Sequence, residues 1–160
     1  MAKAREIPGL GPTTTFRDAA ALTVETRAQE LVEQATGVLD VTDIERVHDM
    51  RVATRRLRAV LEIFWPCLPK GERRAALRDV KALADALGER RDADVAIAAF
   101  EKLTKSLATE DRIGVKSLVD SLRARQQEAN EHLAVALASV EEGHLAARLQ
   151  GLVATAEAAR

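Results

Sequence analysis

Tyrosine is missing from the chain, and three phenylalanines with one tryptophan hold the aromatic content to 2%. Stacking bases of single-stranded nucleic acid on rings therefore has little to work with. Cysteine occurs once, at Cys67, so no internal disulfide can form, and the N-terminus carries no apolar stretch resembling a secretory signal. A reducing cytoplasm is the expected location. No apolar run approaches the roughly 20 residues that cross a bilayer, so no membrane partner is expected. Charge of one sign is not in excess either: the net value of -1 argues against a nucleic-acid binder held by an overall positive field.

What is present is Ala, Leu, Glu, Arg and Lys, a vocabulary of helix formers, in 160 residues, the size of one domain. The expected fold is all-α, an antiparallel bundle of about six helices. Residues 1–12, which include Ile7-Pro8-Gly9-Leu10-Gly11-Pro12, read as a flexible lead-in, and residues 13–160 as a single helical domain. A first helix is expected over 15–39, with a Thr cap at its start. Thr42-Asp43-Ile44-Glu45 has capping-box form and opens a second, running to about Trp65 with Val47, Met50, Thr54, Leu57, Leu61 and Phe64 as its buried seam. A third is expected over 71–87 with Gly88 as its C-terminal cap, and a fourth over 92–107 carrying Val95, Ile97, Phe100, Leu103 and Leu107. A long fifth over 109–137 and a short sixth over 142–159 complete the count.

Charge is segregated along this chain. From Arg46 to Arg91 there are 12 Lys/Arg against 6 Asp/Glu, and the remainder is correspondingly acidic. At roughly 100° per residue, His48, Arg51, Arg55 and Arg58 fall in one sector beside the apolar seam of the second helix, while Arg56 points away. Like charges three or four residues apart destabilise a helix by roughly 0.2–0.5 kcal/mol a pair. Neither Arg51 nor Arg55 has a carboxylate at those offsets, and only Arg58 does, in Glu62. Such a row calls for an anion from outside the helix, either an acidic partner segment or a phosphate-rich ligand. Arg74, Arg78 and Lys81 form a second row on the next helix, so two basic ridges would face one groove. Arginine, at 18 to 6 over lysine, suits this work because its planar fork grips phosphate oxygens two at a time. A lone His beside a seam is more often a hydrogen-bonded core residue, and an Arg row more often a solvated or salt-bridged face. On the residues alone both readings stand.

The segment His48-x-x-Arg51-Val52-x-x-Arg55-Arg56-Leu57-Arg58, followed at Phe64, resembles the signature of the CHAD family, the conserved histidine α-helical domain. Leu87-Gly88-Glu89-Arg90-Arg91-Asp92-Ala93-Asp94-Val95 resembles its second element, LG-x-x-RD-x-D-V. The resemblance implies a helical bundle with a basic groove that binds inorganic polyphosphate and targets polyphosphate granules. It implies His48, Arg51, Arg55, Arg58 and Arg91 as polyphosphate-binding residues by motif position, and helical phase adds Arg74, Arg78 and Lys81. Family members usually have two similar helical halves, and this chain resembles the first, so a homodimer completing the groove is expected.

An enzyme is not expected. His48-Asp49 has the form of a metal-dependent phosphohydrolase dyad, but the other histidines, His132 and His144, lie far downstream of it. The Glu-x-Glu-x-Lys signature of the triphosphate-cleaving modules often fused to CHAD domains is absent. No metal or cofactor is expected. The rival readings are a nucleic-acid binder, since Arg ridges grip any phosphate backbone, and a protein-interaction module whose Arg ridge pairs with an acidic partner.

Overall fold

A computed structural model describes residues 3–142 and 144–158. All regular structure among them is helical: α1 (Phe16–Ala35), α2 (Ile44–Ile63), α3 (Lys70–Thr104), α4 (Thr109–Glu142) and α5 (Leu145–Ala158), with one 3-10 turn at Trp65–Cys67. Five long helices replace the expected six. In space α1 packs on α2, α2 on α3 and α3 on α4, while α5 returns to lie chiefly against α1 and also touches α3 and α4.

The start of α1 follows from Thr15, whose Oγ1 accepts from the backbone N–H of Asp18 at 3.1 Å. The helix stops at Ala35, earlier than expected, because Gly37 takes φ +73° and turns the chain. That turn admits Arg46, which donates from Nη1 to the carbonyl of Thr36 at 3.0 Å and puts positive charge at the helix's C-terminal end. A Cβ at Gly37 would lie 2.9 Å from the same Nη1. The expected capping box at Thr42 does not form. Thr42 donates its hydroxyl to Asp40 instead, at 2.7 Å, and α2 begins after Asp43, whose carboxylate pairs with Arg46.

On α2 the expected seam is the observed one: Val47, Met50, Thr54, Leu57 and Leu61 are buried and Phe64 packs partly against them. Phe64 also meets Phe16 with ring centroids 4.9 Å apart, closing the base of the α1–α2 pair. Pro66 and Pro69 end α2 and set off α3, as expected. The α5 helix needs no aromatic to bury itself, since Leu145, Leu149, Leu152 and Ala156 recur at three and four and all lie in the core.

The expected third and fourth helices are one. Gly88 is not a cap: its φ is not positive, and α3 runs through it for 35 residues. A single glycine costs a helix about 1 kcal/mol relative to alanine, and this one sits among strong helix formers on either side. A Cβ there would meet nothing within 4 Å. Gly88→Ala should therefore raise stability by about 1 kcal/mol, read from urea unfolding; a loss would mean that α3 bends at this point. Of the residues expected to face inward on its second half, Ile97 is buried, but Val95 and Leu103 are largely exposed.

Residues 3–15 carry no regular element, and Arg5 anchors them to α1. The backbone N–H of Arg5 donates to Glu30 Oε1 at 2.7 Å, its side chain pairs with Glu33, and Arg27 donates to its carbonyl. Burial pushes the Glu30 carboxyl up, but hydrogen bonds from Arg5 and Arg27 and the charges of Arg27 and Arg56 outweigh it and hold the pKa below the usual value.

Candidate functional site

The first basic row lies along α2 outside its buried seam. Arg51, Arg55 and Arg58 are exposed and His48 is half-buried. Among the described residues, His48, Arg51 and Arg55 have no hydrogen-bond or ion-pair partner on their side chains. No described acidic residue of the remainder pairs with them. Arg58 differs, because its Nε donates to Glu62 Oε1 at 2.9 Å. That hydrogen bond and the charges of Glu62 and Asp85 raise the guanidinium pKa above its ordinary value. Arg56, expected to point away, lies beside α1, where its charge acts on Glu30.

The second row lies on α3. Arg74, Arg78 and Lys81 are all exposed, and Lys81 Nζ meets Asp85 Oδ2 at 2.9 Å. Arg74 and Arg78 have no such partner among the described residues. The charge of Asp85 on α3 acts on Arg58 of α2. A 710 Å³ cleft with mostly apolar walls opens between α1, α4 and α5, and a 390 Å³ cleft between α3 and α4; no row residue lines either. Apart from half-buried His48, the side chains of both rows are exposed.

Arg91 is placed differently from the rest. Its side chain is only 17% exposed; Nη1 donates to the carbonyl of Ile44 at 3.1 Å and lies 3.7 Å from Glu45. Its guanidinium ties α3 to the first turn of α2, one turn before His48, and so fixes where the first row begins.

Sequence reasoning missed the neighbouring pair Arg90 and Asp94, both fully buried and joined as an ion pair across one helical turn. Gln126 of α4 donates to the same Asp94 oxygen at 2.7 Å. The signal was available, since Arg90 and Asp94 fall at the phase of Leu83, Leu87 and Ile97, inside the apolar stripe of α3. Of the second motif, then, Leu87, Arg90 and Asp94 build the core and Arg91 clamps α2. On α4, His132 Nδ1 lies 3.2 Å from Glu89 on the far side of α3, and no group of three or more His, Cys, Asp or Glu among the described residues is placed to hold a metal. No helix among them is long and apolar enough to cross a membrane.

Neither a curated protein nor a solved structure matches this chain. The model of the CHAD domain family matches residues 23–160, which takes in all but the opening of α1, both basic rows, the α3 motif and everything that follows. The chain belongs to the CHAD domain family.

Proposed function

We propose that this chain is a non-catalytic binding domain for inorganic polyphosphate, held on the surface formed by the α2 and α3 rows, and that it associates in the cytoplasm with polyphosphate granules. CHAD domains as a family are polyphosphate-binding domains. The observation that carries the reading for this chain is the pair Arg51 and Arg55. They are exposed, one turn apart, like in charge, and without a carboxylate partner among the described residues. A like-charged pair on a helix is a small cost in the free protein that a bound polyanion turns into a gain. His48 adds a ring donor one turn before them, and Arg74 and Arg78 add two further forks on α3. An open ridge suits a linear polymer, which needs a track of donors and no enclosing pocket.

The test is calorimetric titration of the purified protein with long-chain polyphosphate at two salt concentrations, with duplex DNA as competitor. Binding should weaken steeply with salt, because each neutralised phosphate releases counterions, and DNA should not displace the ligand. Equal displacement by DNA would favour a general phosphate-backbone binder, and no heat at all a protein-interaction module. Two copies side by side would lengthen the track, and sedimentation of the same samples tests that pairing: a monomer with and without ligand would rule it out.

A further inference from the structure

Each basic row holds one cation in a closed pair with a carboxylate of its own helix. Arg58 is held by Glu62, four residues on along α2, and Lys81 by Asp85, four residues on along α3. Both pairs are half to two-thirds exposed, so they are screened, weak and open to displacement. The cations without a partner among the described residues are His48, Arg51 and Arg55 towards the N-terminal end of α2, and Arg74 and Arg78 towards the N-terminal end of α3. Because α2 and α3 are joined by a short link and Arg91 of α3 touches the first turn of α2, the helices run antiparallel, and these two groups of cations lie at opposite ends of the shared surface. The charge of Asp85 also reaches Arg58 on the other helix.

Resting on the polyphosphate reading, we infer that Glu62 and Asp85 set the length of anion the surface engages, by keeping Arg58 and Lys81 occupied until a long chain displaces them. A short anion settles on His48, Arg51 and Arg55, a tract about 10 Å long at 1.5 Å rise per residue. It gains nothing by extending one turn further, since the next cations are already paired. A long chain already anchored on the first tract competes for Arg58 and Lys81 at high effective concentration, and beyond them reaches Arg74 and Arg78. The carboxylates thus act as a charge break that short phosphates do not cross.

The experiment is a binding series with phosphate chains of defined length, from tripolyphosphate to chains of many tens of units. It uses the full chain, the Glu62→Gln/Asp85→Asn variant, and a charge-matched control, Glu101→Gln/Asp120→Asn. The control also frees an exposed cation, because Glu101 and Asp120 pair with Arg123 on the α3–α4 hairpin. For the unaltered protein, affinity should level off at short length and step up again only for long chains. In the Glu62/Asp85 variant the step should vanish, with intermediate lengths binding about tenfold tighter at low salt and the log-log salt slope steeper by about one to two. The control should stay within about twofold of the unaltered protein at every length. Equal gains in the two variants, or an unchanged length profile in the first, would overturn the inference while leaving the polyphosphate reading in place. Absence of binding to the unaltered protein at every length would sink both.

Discussion

Asp94→Ala should cost the fold about 3–5 kcal/mol, a large share of the roughly 5–15 kcal/mol by which a domain of this size is stable. The Arg90 guanidinium has no exposure to solvent, and its Nη1 finds its counter-charge on Asp94. Its Nε and Nη2, and the second Asp94 oxygen, have no hydrogen-bond partner among the described residues, so the one pairing carries the whole compensation. Removing the carboxylate leaves a buried cation with nothing opposite it, and Gln126 loses its acceptor on the facing helix. The measurement is urea unfolding followed by circular dichroism. Arg90→Met combined with Asp94→Leu is the informative companion, because replacing both partners with apolar groups removes the desolvation cost along with the attraction. That double variant should fall within about 1 kcal/mol of the unaltered protein. If Asp94→Ala alone costs less than about 1 kcal/mol, the pair is not buried in the way described.

Arg51→Ala with Arg55→Ala should reduce polyphosphate affinity by at least about a hundredfold, since hydrogen bonds to charged groups are worth roughly 1.5–3 kcal/mol each. Two lost phosphate contacts should also flatten the log-log salt dependence by about 1.4, taking the slope found for single strands. Stability should stay level or rise by a few tenths of a kcal/mol, because the substitutions remove a like-charged pair one turn apart on an exposed face and put the best helix former in its place. The sign of the stability change separates the explanations. Weaker binding with unchanged unfolding identifies the ridge as a ligand surface. Weaker binding with lost helicity would mean that these arginines hold the bundle together. Full retention of binding would move the site elsewhere.

The α2 helix was legible almost residue by residue, because its apolar seam, its basic row and its proline stop are each set by local spacing. The Thr15 cap was legible for the same reason. Two features were not. Gly88 looks like a terminator in one dimension, but a glycine ends a helix only when it takes the left-handed conformation itself, and Glu89, Arg90 and Arg91 after it have helical preferences of their own. The helix continues and packs on α2 and α4. The capping box at Thr42 failed because a short-range competitor, the carboxylate of Asp40 two residues earlier, takes the Thr42 hydroxyl. At the site, the motif gave identities but not orientations. His48, Arg51 and Arg55 lie on the solvent side of their seam as helical phase requires, whereas Arg91 turns inward to a backbone carbonyl that no spacing rule points to.

The length of α3 has a consequence of its own. At 35 residues it spans about 52 Å, against about 30 Å for the 20 residues of α2. Beyond Ile97 no described residue of α3 is buried, and before Ala129 the only buried residue of α4 is Val119. The far end of the hairpin is held by little more than Val119, partly buried neighbours such as Phe100 and Leu122, and the Arg123–Glu101 pair at 2.7 Å. Free energy of local opening follows buried apolar contact, so hydrogen exchange should divide the chain into two populations. Amides near the hairpin tip would exchange by fraying of the two helix ends, while those of α2 and the first half of α3 would exchange only when the whole bundle opens. Uniform protection along α3 would show the tip to be held by something more. Where two populations are seen, the fast one belongs to the part of the molecule that carries neither basic row.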